Sequence, residues 1–170
     1  MEERKDKKGA RREEVSPLKA ALLRMADLCA QSEQCAFDIT KKLRLKGFTE
    51  EEASKVVSVL EKRRFIDAAR FARAFASDKL RFAGWGRVKI RAGLAARHIP
   101  EEHISEALQA LDPDEYGRIL LQRAAAKARR LDLDDYNERM KLMRHLVSRG
   151  FTPGECSEAL RQLRRLKNEE

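Results

Sequence analysis

One short sequence pattern occurs three times along the chain, and this repetition restricts the fold more than any other feature. Each copy has a leucine, a residue that can end a helix, an apolar residue, a serine and a second leucine at the same spacing. The copies are Leu43, Gly47, Phe48, Ser54 and Leu60; Leu94, His98, Ile99, Ser105 and Leu111; and Leu146, Gly150, Phe151, Ser157 and Leu163. Steps of 51 positions to the second copy and 103 to the third predict tandem structural units.

The spacing divides the chain into three units of three helices each. Unit 1 is expected at residues 15–64, unit 2 at 65–111 and unit 3 at 112–166, before a tail at 167–170. Residues 1–14 contain almost nothing to bury, so we expect them to be disordered. Because no alternating β-branched run is present, the predicted fold is all-α, with three stacked units forming an elongated, curved helical repeat.

The helix starts are marked by residues whose side chains cap a helix N-terminus. Ser16, followed by a proline, opens unit 1, and Thr49 with Glu52 three positions later forms a capping box. Asp67 is the expected N-cap of the first helix of unit 2, and Asp112 marks the start of unit 3.

Apolar residues at helical spacing predict which helix faces are buried. The first helix of unit 2 carries such a stripe at Ala68, Phe71, Ala72, Phe75 and Ala76. The first helix of unit 3 carries one at Tyr116, Ile119, Leu120, Ala124 and Leu131. The middle helix of unit 3 is expected to bury Tyr136, Met140, Met143 and Val147.

The composition argues against several classes of protein. Cys29, Cys35 and Cys156 are odd in number and form no CxxC pair, which suits a reducing cytosol rather than a disulfide framework. No run of 18 apolar residues occurs, so no membrane contact is expected. The charged N-terminus lacks the apolar stretch of a signal peptide. We therefore expect a cytoplasmic protein.

No residue arrangement typical of an enzyme is visible. His98 and His103 are five positions apart, which is poor for joint metal ligation on a helix, and His145 stands alone. The P-loop, GxGxxG and GxSxG patterns are missing. An enzyme is the least supported class, and no cofactor or metal is expected.

The positive charge is concentrated in one central segment, residues 62–97. This segment holds 11 Lys or Arg and 2 acids, a net charge of 11 − 2 = +9, which equals that of the whole chain. The remaining 26 bases and 26 acids therefore cancel. Such concentration favours a surface for a polyanion or an acidic partner protein.

We expect the bases of this segment and its single tryptophan to bind the partner. These candidates are Arg63, Arg64, Arg70, Arg73, Lys79, Arg81, Trp85, Arg87, Lys89, Arg91 and Arg97. The alternative is that the bases only solvate the surface and favour helix C-termini. Because Ile90 and Leu94 mark the buried side of one helix, Lys89 and Arg91 are expected to point outward. Reversing both charges should then leave the fold nearly intact.

Trp85 lies between two glycines in this basic stretch. A tryptophan there could stack on a base or enter a partner's pocket. A tryptophan that holds the loop against the core fits the sequence equally well.

These residues resemble the RecX family, bacterial regulators of the RecA recombinase. The sequence that resembles the family pattern is Phe65-Ile66-Asp67-x3-Phe71-Ala72-x2-Phe75, followed by Gly84-x-Gly86-x3-Ile90-x3-Leu94-x4-Ile99. The three-unit layout extends the resemblance over residues 18–166. Ala68, His98 and Cys35 depart from the pattern, where relatives commonly have Asp, Gly and a capping Ser. All three are structural positions, so the departures bear on local stability more than on function.

The resemblance implies a regulator rather than an enzyme. RecX proteins bind in the groove of the RecA–DNA filament, lower its ATPase and strand exchange, and limit its growth, in recombination, DNA repair and the SOS response. The resemblance therefore implies that the protein is a monomer, that its partner is the RecA filament and that it needs no cofactor. Single- or double-stranded DNA remains open as a second partner. The residues alone also allow a helical nucleic-acid-binding protein without RecA as partner, which steep salt dependence and no RecA-dependent effect would reveal.

Overall fold

The computed structural model describes residues 16–169, with side chains described as far as residue 167. Over this range the chain forms nine α-helices and no strand. The helices are α1 (Pro17–Gln31), α2 (Ala36–Leu45), α3 (Glu50–Lys62), α4 (Ala68–Arg81), α5 (Arg87–Ala95), α6 (Glu101–Gln109), α7 (Pro113–Ala128), α8 (Tyr136–Ser148) and α9 (Pro153–Glu169). The segment 1–14, for which disorder is expected, lies outside the described residues. None of these helices combines the length and the hydropathy that a bilayer crossing requires.

The helices form three tandem three-helix units, which confirms the predicted fold class. In unit 1, α3 packs against both α1 and α2. In units 2 and 3, each helix packs against the two others of its unit, and α4 also contacts α7. The last helix continues to Glu169, three residues beyond position 166, where the repeat places the end of unit 3.

The predicted caps open the helices as expected. The Ser16 hydroxyl accepts a hydrogen bond from the Lys19 N–H, and Thr49 and Glu52 form both bonds of a capping box. The Asp67 carboxylate accepts from the Arg70 N–H at 2.8 Å, which confirms Asp67 as the N-cap of α4. These caps satisfy N–H groups that have no partner within the first helical turn.

In the turn that follows the middle helix of each unit, one residue adopts a left-handed conformation. Gly47 and Gly150 have φ values of 90° and 92°, and His98 takes the same role with a φ of 56°. Glycine adopts this region without cost, whereas a side chain makes it less favourable. The ring of His98 lies 5.3 Å from that of Phe37 in unit 1, so the substituted turn also contacts the neighbouring unit.

Unit 1 has its own hydrophobic core, whereas units 2 and 3 share one. The core of unit 1 is built around Ile39, Leu43, Ala53, Val56 and Leu60. The shared core includes Leu80, Ile90, Leu94, Ile104, Leu142, Leu146 and Phe151. Among the described residues, Cys35 alone extends from unit 1 into the shared core. Units 2 and 3 therefore form one packed body, to which unit 1 is joined by a smaller contact.

Two expectations about unit 3 are wrong. In α8 the fully buried residues are Leu142 and Leu146, and Tyr136 and Val147 are exposed. Of the four expected residues, Met140 is half-buried and Met143 packs against the shared core. The other error is at the end of α7, which stops at Ala128, so that Leu131 lies in the following turn. In α8, Leu142 and Leu146 are themselves four positions apart, so this helix carries two apolar stripes at helical spacing. Packing against α7 and α9 determines which stripe faces inward.

Candidate polyanion interface

Two of the predicted binding residues connect unit 2 to unit 1. Arg70 donates to Glu33 at 2.5 Å, and Arg97 donates to Asp38 at 3.0 Å. Arg97 also donates to the Gly93 carbonyl, and its guanidinium lies 5.0 Å from the centroid of the Phe75 ring. Both arginines therefore hold unit 1 in place through carboxylates that the sequence places far from the basic segment.

Two further predicted residues connect unit 2 to unit 3. Arg81 at the end of α4 makes a two-pronged contact with Glu115, at 2.9 Å and 3.1 Å. Arg87 donates to Glu155 at 3.3 Å, and its guanidinium lies 3.8 Å from the centroid of the Tyr116 ring. The Tyr116 hydroxyl accepts from the backbone N–H of Arg87 and donates to Glu155. Burial raises the pKa of Tyr116 to about 12, so this hydroxyl keeps its proton.

The remaining arginines of the basic segment divide into paired and unpaired residues. Arg64 lies 3.6 Å from Asp67, and Arg91 pairs with Glu101. Arg63 and Arg73 are exposed and take part in no ion pair with a described residue. Six of the eleven candidates thus have a carboxylate partner within the chain, and the charge that the sequence concentrates is partly neutralised in the fold.

Trp85 packs against the protein with two lysines beside its ring. The ring meets that of Phe75 edge to face, with centroids 6.4 Å apart, and borders the shared core. The Nζ atoms of Lys79 and Lys89 lie 5.0 Å and 4.9 Å from its centroid. The structure therefore supports the alternative that Trp85 holds the loop against the core, and the ring places two ammonium groups side by side.

Unit 3 contributes bases that the sequence analysis missed. The Arg123 side chain packs against Gly84, in contact with the position of the missing Cβ, and Lys127 follows one turn later on α7. The backbone carbonyl of Arg149 accepts a hydrogen bond from the Gly86 N–H at 2.8 Å. The buried Nε of the Arg149 side chain makes no hydrogen bond to a described residue. A signal was available in the sequence, because residues 116–131 contain no acid and place several bases on a helix.

Lys79, Lys89, Arg123 and Arg149 contact the loop at residues 84–86, where units 2 and 3 meet, and Lys127 lies near His145. We call this surface the junction patch and define it by Lys79, Lys89, Arg123, Lys127 and Arg149. Lys89 also donates to the Ser148 carbonyl at 3.4 Å, which joins it to the α8–α9 turn. None of the five takes part in an ion pair among residues 16–167.

His145 lies beside two cations of the junction patch, Lys127 and Arg149. His145 on α8 has its pKa lowered below the ordinary value by burial and by the nearby charges of Lys127 and Arg149. Cations without carboxylate partners, at the meeting of two units, form a surface that can accept phosphates or carboxylates from another molecule.

The buried thiols offer no comparable chemistry. Burial raises the pKa of Cys35 and of Cys156 to about 11, so both remain protonated at neutral pH and are poor nucleophiles. Within the described range, no three His, Cys, Asp or Glu side chains stand close enough to hold a metal ion.

Comparison with known proteins identifies the family. Residues 67–108 match the model of the second three-helix domain of RecX, and residues 114–160 match that of the third. The chain is 30% identical over 148 residues to the regulatory protein RecX of Prosthecochloris aestuarii, a match that covers 87% of this chain and 96% of that protein. The chain belongs to the RecX family.

Other RecX relatives match over different lengths. The regulatory protein RecX of Clostridium botulinum is 32% identical over 116 residues, which is 66% of this chain but 54% of that protein. The chain thus spans about half the length of that relative. A crystal structure of RecX from Lactobacillus salivarius shares the fold, with a TM-score of 0.70 at 17% identity over 86% of this chain. Another crystal structure of regulatory protein RecX gives a TM-score of 0.69 at 23% identity over 81% of the chain.

Proposed function

We propose that this protein binds the RecA–DNA filament and inhibits RecA ATPase, strand exchange and filament growth. Membership of the RecX family carries this proposal, because modulation of RecA is the known role of that family. The match to the Prosthecochloris aestuarii regulatory protein supports it over nearly the full length of that relative. The protein would then act in the cytoplasm, during recombination and DNA repair.

The charge distribution supports the same proposal. A RecA–DNA filament presents phosphates and acidic side chains, and the junction patch offers cations that no described carboxylate neutralises. Two units build this patch, so its geometry depends on the docking of unit 2 on unit 3. The exposed Arg63 and Arg73 are further candidates for contact with the filament.

The paired arginines have a different role in this proposal. Arg81 and Arg87 position unit 3 relative to unit 2, while Arg70 and Arg97 position unit 1. A protein that bridges neighbouring RecA subunits needs its units at a defined separation. We infer that these four arginines are positioning residues, which act by holding the binding surface in shape.

The proposal is tested by the DNA-dependent ATPase of the cognate RecA, measured with increasing amounts of the protein. We expect the ATPase to fall with protein concentration, and the effect to weaken as salt rises, because the contacts are electrostatic. An ATPase that stays constant up to a severalfold molar excess over RecA would contradict the proposal. Salt-dependent binding to DNA alone would then favour the nucleic-acid-binding class without RecA as partner.

A further inference from the structure

One aromatic residue at the junction patch is exposed rather than packed. Phe82 follows the last residue of α4, and 79% of it is accessible to solvent. Phe71 and Phe75, on the same helix, pack into or against the shared core, as does Trp85 from the loop. A single exposed apolar residue is common on protein surfaces, so its meaning depends on its neighbours.

Phe82 directly follows Arg81, which is paired with Glu115, and cations without a carboxylate partner lie further along α4 and on α7. The Arg123 guanidinium lies 3.5 Å from the Phe82 carbonyl oxygen, and Lys79 precedes Phe82 by one turn on α4. Lys127 lies one turn beyond Arg123 on α7. Asp78, one turn before Phe82 on α4, lines a groove toward unit 1 together with Lys79. Phe82 is thus an exposed aromatic residue whose backbone contacts Arg123. Arg123, Lys79 and Lys127 have no carboxylate partner among the described residues.

We propose that Phe82 stacks on a base of single-stranded nucleic acid while Lys79, Arg123 and Lys127 contact the adjacent phosphates. An aromatic face can stack only on a base that is accessible, and a duplex hides its base faces inside the stack. The basic side chains attract any nucleic acid, whereas the ring selects the unpaired form. This site needs no RecA, so the inference stands apart from the proposed function.

The test is fluorescence anisotropy with labelled oligo(dT) and with a duplex of equal length, at one salt concentration and without RecA. Phe82→Ala should weaken oligo(dT) binding by about 5- to 30-fold, because base stacking on an aromatic residue contributes at about that level. Duplex binding should change by less than about twofold. Leu45→Ala is the matched control, since Leu45 is also 79% exposed but lies at the end of α2 in unit 1. It should leave both affinities unchanged.

A second variant tests the phosphate contacts. Lys127→Gln should weaken binding to both nucleic acids and reduce the slope of log affinity against log salt by about one. The inference is overturned if Phe82→Ala binds oligo(dT) as wild type does, or if it loses single strand and duplex equally. It is also overturned if oligo(dT) does not bind wild type. If Phe82→Ala then abolishes an effect on RecA, Phe82 anchors a protein partner instead.

Discussion

Gly86 and Gly150 meet backbone to backbone where units 2 and 3 join. A Cβ atom on Gly86 would lie 2.3 Å from the Gly150 carbonyl oxygen, closer than side chains approach backbone. That same oxygen accepts from the Val88 N–H at 3.0 Å. A position without a side chain is therefore required where the start of α5 touches the α8–α9 turn, and this contact shapes the junction patch.

Gly86→Ala should destabilise the protein by about 1–3 kcal/mol, because the new methyl group must force two backbones apart. Gly117→Ala is the control: nothing lies within 4 Å of a Cβ at that position in α7, so the change should be neutral or should stabilise the helix. Chemical denaturation measures both. Equal stability of the two variants would show that the units are not in such close contact.

Asp67→Ala should cost about 0.5–2 kcal/mol at neutral pH, because α4 loses its N-cap. The hydrogen bond from the Arg70 N–H lowers the pKa of Asp67, and burial opposes this effect. A lowered folded-state pKa means that the stabilisation is present above the ordinary value of 3.8 and is lost as pH falls through the folded value.

The difference in free energy of unfolding between wild type and Asp67→Ala should therefore become smaller in acid. Urea denaturation at neutral pH and near pH 3 measures it. Asp67→Asn, which keeps an acceptor at the cap, should be less destabilised than the alanine variant at neutral pH. A wild-type denaturation midpoint in Asp67→Ala would contradict the role of this carboxylate.

The Arg97–Asp38 pair should couple unit 1 to unit 2. Their side chains are 31% and 25% exposed, so solvent screens the pair only in part. A double-mutant cycle with Arg97→Met and Asp38→Asn should give a coupling of about 1 kcal/mol that falls with added salt. Arg97→Met also removes the contacts of Arg97 with the Phe75 ring and the Gly93 carbonyl. Because this loss of stability occurs with either residue at position 38, it cancels in the cycle. A coupling near zero at low salt would mean that other contacts hold unit 1.

The pKa of His145 should rise when nucleic acid binds the junction patch. Burial, Lys127 and Arg149 lower it in the unbound protein, and bound phosphates would offset the two positive charges. A pKa that rises on binding means proton uptake, so affinity for oligo(dT) should increase as pH falls through the titration range. Proton NMR of the imidazole signals measures this. The signals of His103, which lies between Glu102 and Glu106 on α6, serve as the control.

Much of the fold could be predicted because its signals are local. Caps such as Asp67 and turns such as Gly47 act within one helical turn, so the sequence contains them directly. The stripe of α8 could not be predicted in the same way. Two stripes of helical spacing compete there, and packing against other helices selects the one with Leu142 and Leu146.

The candidate site could be predicted only in part, because the sequence shows local charge but not the tertiary contacts that neutralise it. Charge counting found the basic segment, but the carboxylates that neutralise Arg70, Arg81, Arg87 and Arg97 lie 34 to 68 positions away in the outer units. Such pairing depends on tertiary structure.

Lys89 and Arg91 show the consequence of this dependence on tertiary structure. Arg91 pairs with Glu101, and Lys89 lies against Trp85 and the Ser148 carbonyl. Reversing both charges should therefore destabilise the fold, contrary to the expectation that both simply point outward. Thermal unfolding of the double variant measures this, and an unchanged midpoint would restore the simpler interpretation.

RecA ATPase inhibition by two variants with the same change in net charge tests most directly whether the junction patch binds the filament. One reverses Arg123 and Lys127 of the junction patch to Glu. The other reverses Lys19 and Arg24 to Glu, two exposed residues of α1 that take part in no ion pair with a described residue. At matched salt, with both variants folded by circular dichroism, we predict that the patch variant loses inhibition while the α1 variant inhibits like wild type. Full inhibition by the patch variant would contradict binding through the junction patch and place the filament-binding surface elsewhere on the chain.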